Sequence, residues 1–425
     1  MKIIKLQITG LRAFRQAEFR FLPGMNLIVG VNGVGKTTVL ESIRVCLSKL
    51  LPEITASRGR KESFALTDIR IGMDALQVDC EFDIDELKFQ LTVQKKKQGF
   101  IGNDSGDPRN QGMQTPDIDA VIPAFSKDQL KISKSRSQPL GIYFSTRRSL
   151  AVDQKASRTA SAGGITAAYV ESLSPIRDLN LRLIAQWMKV QETLAKENSK
   201  IIRHSKALSE AIQTFLPEFK NPHIIETDTG VDFIIEKNGI PLSAFQLSDG
   251  ERGMLSLVMD IAKRLSQANP ELENPLRNGK AVVLIDELDL HLHPKWQRTI
   301  VENLTRTFPG CQFIATTHSP QIIGEVEPNR ITIIDTGTHS PAKSFGIDSS
   351  RLLEEILQTP SRNKSVDNML KNLYVCLDKE DLGSSKKILD QLKLILGPND
   401  PEVTRSSTMI SFLEEDFSDE ANKKA

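Results

Sequence analysis

The sequence predicts an α/β fold, with mixed and parallel sheets flanked by helices, a short helical insertion and a small C-terminal helical domain. Three observations carry this. Short, largely apolar runs (Asn26–Val29 and Ala281–Ile285) read as strands buried on both faces, as in a parallel sheet. Helical periodicity follows the first of these, and helical and buried-strand segments alternate around the second. A glycine-rich turn, Gly30-Val-Asn-Gly33-Val-Gly35-Lys36-Thr37, joins the first run directly to the first helix.

In chain order, Ile4, Leu6 and Ile8 alternate with polar neighbours, as in a half-buried strand. Thr37 to Leu50 has helical spacing. Leu76–Ile84 and Leu87–Val93 alternate again and read as a hairpin. Lys95 to about Ser137 turns polar and rich in Gly, Ser, Lys, Pro and Gln. A strand-like Leu140–Phe144 and a second polar stretch, Ser149–Gly164, follow, so 95–165 reads as a polar mobile insert. Ser174-Pro175 has the form of an N-cap with proline at the first helical position. The apolar residues after it (Ile176, Leu179, Leu183, Ile184, Trp187, Met188) recur at helical spacing, and a second helix ends near Pro217. The helical insertion is thus 174–216. Strand-like segments at Ile224–Glu226 and Val231–Ile235 lead back into the core. From Ser248 to Asp335 the order is helix, buried strand, helix, buried strand, helix, strand, which suits a parallel sheet.

The chain changes character near Phe345. Leu352, Leu353, Ile356 and Leu357 share a helical face; so do Val366, Met369, Leu370 and Leu373, and then Ile388, Leu389, Leu392, Ile395 and Leu396. Gly397-Pro398 stops the last of these. Two domains are expected, 1–344 and 345–425, with Asp416–Ala425 a charged, frayed end.

Composition narrows the setting. The 425 residues are 39% hydrophobic and 26% charged, with a net charge of +1. That balance gives no overall pull towards nucleic acid or membrane, so such binding needs a local patch. Cys46, Cys80, Cys311 and Cys376 lie far apart without metal-like spacing, as expected of a reduced cytoplasmic protein. The N-terminal residues lack the apolar core of a signal peptide. The longest apolar run, Ala281–Ile285, is too short to span a bilayer. A soluble, cytoplasmic protein with no membrane partner follows.

The turn between strand and helix is a P-loop in its proper context. Its glycines let successive backbone N–H groups face phosphate oxygens, and the helix N-terminus adds a favourable dipole. Asn32, Gly33, Val34, Gly35, Lys36, Thr37 and Thr38 are the candidate nucleotide-binding residues. Lys36 reaches the β- and γ-phosphates, and Thr37 supplies a hydroxyl to Mg²⁺. Ala281–Ile285 ends in Asp286-Glu287, at the carboxyl edge of the sheet, where ligands of open α/β folds bind. Asp286 is placed to hold the Mg²⁺ water shell. Glu287 is placed to orient or deprotonate an attacking water. The expected cofactors are ATP and Mg²⁺.

At this point a family resemblance emerges. Leu247-Ser248-Asp249-Gly250-Glu251 resembles the signature of ABC ATPases, with Asp249 where transporters carry glycine. Leu288-Asp289 resembles the D-loop. Thr316-Thr317-His318-Ser319-Pro320 resembles the switch-histidine segment. Gly10-Leu-Arg12-Ala-Phe14-Arg15 resembles the N-terminal strand of RecF, SMC and related repair ATPases. The resemblance implies an ABC-type P-loop ATPase head that works as a head-to-tail homodimer or a higher oligomer. In it, Ser248, Asp249, Gly250 and Glu251 of one subunit face the γ-phosphate held by the other. It further implies catalytic roles for Glu287, His318 and Lys36, and an approach of Arg15, or Arg12, to the nucleotide. The Q-loop glutamine is left among Gln77, Gln90, Gln94 and Gln129.

The region between P-loop and signature is too short for an SMC coiled coil. The stretch Glu287–Pro294 resembles the corresponding region of overcoming-lysogenization-defect (OLD) nucleases, but no Asp-x-Asp pair follows Asp335, and Asp83/Asp85 and Asp117/Asp119 read as surface carboxylates. No nuclease site of the chain's own is visible. What remains is similar to the stand-alone (PtuA) ATPases of Septu-type antiphage systems, some of which accompany retrons. Phe345–Glu355, the run Leu373–Asp378 and Leu396–Glu402 carry this similarity. It implies a separately encoded HNH-type nuclease as partner, and a retron reverse transcriptase, its msDNA or another nucleic acid as further ones. The tail then docks the nuclease or caps the dimer. Lys95, Lys96, Lys97, Lys131, Lys134, Arg136, Arg147 and Arg148 form a candidate basic patch, with solvated loop charges the plainer reading. The alternative function is a RecF-like DNA-repair ATPase that binds DNA directly. His291 and His293, and the two tryptophans Trp187 and Trp296, read as structural.

Overall fold

A computed structural model describes the chain except for residues 98–137, 147–163, 178–180, 196–198, 228–229, 336 and 425. It divides into two compact units, Met1–Leu352 and Leu353–Ala425.

The first unit begins with an antiparallel sheet in the order β2-β1-β4-β5, formed by β1 (Lys2–Leu11), β2 (Phe14–Arg20), β4 (Ala75–Ile84) and β5 (Leu87–Lys96). Strict alternation in β4 sends Leu76, Val78, Cys80, Phe82 and Ile84 to the buried face. The expected hairpin is β4–β5, in register from Ala75↔Lys96 to Ile84↔Leu87.

A second sheet has the order β13-β12-β3-β11-β10-β6. Its strands are β3 (Met25–Val29), β6 (Leu140–Phe144), β10 (Ala281–Ile285), β11 (Cys311–Thr317), β12 (Ile331–Ile334) and β13 (Thr338–His339). All pairings are parallel except β12–β13. Every residue of β3, β6, β10 and β11 is buried, the pattern their near-continuous apolar composition demands. Helix α1 (Lys36–Ile54) leaves the P-loop and packs against this sheet.

The helical insertion consists of α2 (Leu181–Ala195) and α3 (Ser199–Phe215). The expectation that Ser174-Pro175 opens a helix is corrected: the helix starts at Leu181, and Ile176 is exposed. Ser172–Pro175 instead runs beside β6, with the Tyr143 amide donating to the Ser172 carbonyl and the Ser145 hydroxyl to the Pro175 carbonyl. A serine-proline pair serves a turn as readily as a helix cap. The strand-like segments after the insertion bury Phe219, Phe233 and Ile235 but join neither of the two sheets above. They form a separate antiparallel sheet, β7 (Phe219–Thr227), β8 (Gly230–Lys237) and β9 (Ile240–Ser243). Helix α4 (Asp249–Ala268) follows, packed against α3, and α5 (Ile300–Thr307) lies between β10 and β11 in sequence.

The second unit holds α6 (Lys364–Asp378), α7 (Leu382–Leu396) and α8 (Pro401–Lys424). Val366, Leu370, Leu373, Leu377, Leu389, Leu392, Val403 and Ile410 form its core. Gly397, at φ 87, ends α7 as expected. The end expected to fray is helical through Lys424. Among the described residues no helix is long and apolar enough to cross a membrane.

Candidate functional site

Three adjacent parallel strands deliver the P-loop, the acidic pair and His318 to one edge of the sheet. Val29, the last residue of β3, pairs with Thr317 of β11, and Ile285 of β10 pairs with Ala315 beside it. The chain segments that leave these strands therefore emerge side by side, although they are far apart in sequence.

The P-loop turns through Gly33 (φ 85) and Gly35 (φ 108) before α1 begins at Lys36. Gly35 is required twice over: its backbone lies where L-residues are strained, and a Cβ there would sit 2.6 Å from the Phe14 ring. Phe14, at the start of β2, supports the loop from below and meets Phe19 edge-on at 5.9 Å. The Lys36 ammonium donates to the carbonyls of Gly30 (2.9 Å) and Val31 (3.0 Å). Burial lowers its pKa, against the opposing pull of Asp286, Glu287 and Asp289.

The Thr37 hydroxyl donates to Asp286 Oδ2 at 3.0 Å. The other oxygen, Oδ1, accepts from the Thr316 hydroxyl at 2.7 Å, and Thr316 Oγ1 in turn accepts from the Glu287 amide at 2.7 Å. Thr316 is fully buried and thus fixes the side chain of one acid and the backbone of the other. Glu287 adopts a left-handed φ of 50, which turns the chain sharply as it leaves the sheet. A hydroxyl and a carboxylate with hard oxygen donors, held this close, fit the requirements of Mg²⁺.

On the neighbouring segment Asp289 Oδ1 accepts from the Thr317 hydroxyl (2.6 Å) and the His318 amide (3.2 Å). The D-loop-like aspartate thereby sets the position of the histidine. Burial and the charge of Lys36 hold the His318 pKa below its ordinary value, so the imidazole is neutral at neutral pH.

The signature-like residues sit elsewhere. Ser248 caps α4 with a reciprocal capping box: its hydroxyl accepts from the Glu251 amide, while its own amide donates to Glu251 Oε2 at 2.9 Å. Such a cap is worth about 1 kcal/mol. Lys237 pairs with Glu251. Burial would raise the Glu251 pKa, but the bonds from Lys237 and Ser248 outweigh it and hold the carboxyl below its usual value. Exposed Asp249 pairs with Arg252, which offsets its charge. Gly250 approaches so closely that a Cβ would lie 2.6 Å from the His291 carbonyl oxygen and 3.2 Å from the Trp296 ring. Ser248, Gly250, Glu251, His291, His293 and Trp296 line a cavity of about 680 Å³ to which no P-loop residue contributes.

Of the two candidate arginines, Arg12 is committed to Asp68 and Glu41. Burial opposes its charge, but the Asp68 hydrogen bond and Glu41 outweigh this and raise its pKa. Arg15 is exposed one residue beyond Phe14. Three of the four glutamine candidates are placed by the structure. Gln77, Gln90 and Gln94 lie on the antiparallel sheet, where Gln77 and Gln90 bind Asp79 and Gln94 binds Gln77; Gln129 lies outside the described residues. The strand end beside Asp286 carries Ser145 instead, since the Asp286 amide donates to Phe144. Of the basic patch, Lys131, Lys134, Arg136, Arg147 and Arg148 fall outside the described residues. His293 caps a short helix at Lys295, a structural role as expected. Sequence reasoning missed Thr316 as the clasp of both acids and Phe14 as the floor of the P-loop.

A P-loop running into a helix, opposed across two parallel strands by an aspartate–glutamate pair, defines the P-loop ATPase class. The chain belongs to the family described as "AAA domain, putative AbiEii toxin, Type IV TA system", which matches residues 25–324. It is similar to a protein named "Retron Vc95 probable ATPase" from Vibrio cholerae serotype O1 biovar El Tor, with 30% identity over 73% of this chain and 68% of that one. It is 29% identical to "Retron Ec83 probable ATPase" from Escherichia coli, covering 90% and 81% of the two chains. "Septu protein PtuA" of Bacillus thuringiensis is 23% identical over 94% of this chain and 96% of its own. The similarity to Septu and retron ATPases drawn from the motifs is thus borne out.

Proposed function

We propose that this chain binds and hydrolyses ATP as a cytoplasmic homodimer, and that its nucleotide state regulates and scaffolds a separately encoded HNH-type nuclease in a retron- or Septu-type antiphage system. The observation that carries the ATPase reading is the Thr37–Asp286–Thr316 network, with Glu287 held at its end. P-loop amides and Lys36 bind the phosphates. Mg²⁺, when bound through Thr37 and Asp286, offsets charge on the β- and γ-phosphates. Glu287 orients the attacking water and accepts its proton, while neutral His318 hydrogen-bonds the γ-phosphate or that water. Lys36 exchanges the Gly30 and Val31 carbonyls for phosphate oxygens.

The dimer reading is supported by the separation of the two halves. Ser248, Gly250 and Glu251 line a cavity without P-loop residues, and a helix N-terminus facing outward suits the phosphate of a second copy. Domain 345–425 is the proposed docking element for the nuclease, and retron msDNA or another nucleic acid a further ligand.

ATP turnover by the purified chain, alone and with the nuclease encoded beside it, tests this. Turnover in the wild type, its loss with retained ATP binding in Glu287→Gln, and ATP-dependent co-purification of the nuclease are expected. Binding without turnover in either protein would refute the role of Glu287. A gene neighbourhood of replication and repair functions would favour the RecF-like alternative.

A further inference from the structure

The edge strand β6 is clamped by a buried set of charges that the chemistry above does not use. The segment Ser172–Arg177 runs beside β6 and carries Arg177 at its end. One guanidinium nitrogen of Arg177 donates to Asp260 Oδ2 at 2.9 Å, and another to the Tyr143 carbonyl at 3.2 Å. Its guanidinium carbon lies 4.7 Å from the centre of the Phe144 ring. Asp260 belongs to α4, the helix that begins at Ser248, and accepts a second bond from Arg264 at 3.0 Å. Arg264 in turn holds the carbonyls of Ala168 and Val170. On the other side, the Phe144 carbonyl accepts from the Asp286 amide at 2.8 Å. A continuous path of short bonds thus joins the signature-like helix to the metal-binding acid.

Stability alone does not require this arrangement. Removing charges from water is expensive, and replacing buried ion pairs by apolar residues of similar size is often neutral or stabilising. Burial lowers the Arg177 pKa to about 10, and Asp260 keeps a lowered pKa against burial through Arg177 and Arg264, so Arg177 and Asp260 remain charged. What the charges supply is direction. Arg177 fixes α4 to β6 at one turn, and Asp260 lies 11 residues from Asp249, about 16 Å along a rigid helix.

We infer that Arg177 is a positioning residue of the ATPase site, coupling Asp286–Glu287 through β6 to α4 and so to the Ser248 end of that helix. This rests on the nucleotide-binding reading above. When ligand moves the Asp286 backbone, β6 moves with it, and the Arg177–Asp260 pair carries the shift to the face offered to a second phosphate. Without Arg177 the P-loop still binds, but the far end of α4 no longer responds. Arg264 keeps Asp260 paired in that case, so loss of Arg177 leaves no uncompensated buried carboxylate.

Amide hydrogen exchange with and without Mg-ATP, followed in peptides covering 30–38 and 247–260, tests this in the full chain. In the wild type, exchange is expected to slow about threefold or more in both regions. In Arg177→Met the P-loop slowing persists while that at 247–260 disappears, and Arg177→Lys restores part of it. Persistence of both responses in Arg177→Met overturns the coupling, as does a wild type that responds only at the P-loop. Faster exchange of Arg177→Met throughout β3, β10 and β11 without ATP would show a merely structural role and overturn it too. A wild type without P-loop slowing would instead refute the nucleotide-binding reading on which the coupling stands.

Discussion

Thr316→Val is the most informative single change to the site. Valine keeps the shape and β-branching of threonine and removes only the hydroxyl. Two bonds go with it, one to the charged Asp286 and one from the Glu287 amide, both 2.7 Å and at a fully buried position. A bond to a charged group contributes about 1.5–3 kcal/mol and a neutral one about 0.5–1.5, so the variant should lose about 2–4.5 kcal/mol. Urea unfolding at constant m-value reads this directly. Because the lost bonds aim both acids, turnover should fall about 100-fold, as expected for a small misplacement of reacting groups. Thr316→Ser keeps the hydroxyl and should stay near wild type in turnover. Stability within about 0.5 kcal/mol of wild type, together with unchanged turnover, would refute the view that Thr316 clasps the two acids.

Lys36→Ala should abolish ATP binding measured by calorimetry, since its ammonium is held against the Gly30 and Val31 carbonyls within the phosphate cradle; unchanged affinity would remove the P-loop argument. NMR titration should place His318 below the ordinary value of 6.5, and Lys36→Met should move it upward by removing the second cause of the shift. Since the folded state disfavours the imidazolium, the contribution of His318 to stability is intact above 6.5 and lost as pH falls towards the lowered folded pKa; stability of wild type relative to His318→Gln should follow that sign. Gly250→Ala should destabilise by about 1–3 kcal/mol, because its methyl meets the His291 carbonyl and the Trp296 ring. Gly253→Ala, three residues on in open space, should stabilise the same helix by up to about 1 kcal/mol; equal effects at both positions would refute the close-approach argument.

The strands that build the site were legible because burial on both faces leaves a plain apolar signal, as in β3, β10 and β11. The P-loop was legible because its glycines answer backbone needs that can be stated locally. Contacts between distant segments left no such mark. Nothing around Phe14 announces that its ring lies under Gly35, and nothing in Thr316 distinguishes it from Thr317, which serves Asp289 instead. Ser174-Pro175 misled because the same pair suits a turn beside β6 and a helix start; only Ser145, whose hydroxyl donates to the Pro175 carbonyl, decides between them. The glutamine candidates on β4 and β5 have a similar explanation. Family pattern directs attention to glutamines, whereas the strand end next to Asp286 carries a serine.

The placement of β3 in the middle of its sheet, between β12 and β11, sets an order of assembly. The first 96 residues can close the antiparallel sheet by themselves, since β1, β2, β4 and β5 pair only with one another. The strand that carries the P-loop cannot. Both of its edges stay open until residues 311–334 have been made, and such long-range parallel pairing is slow to form. A chain still being made is therefore unable to complete the P-loop strand until that stretch has been synthesised, and in that interval β3 is an apolar strand with two unsatisfied edges.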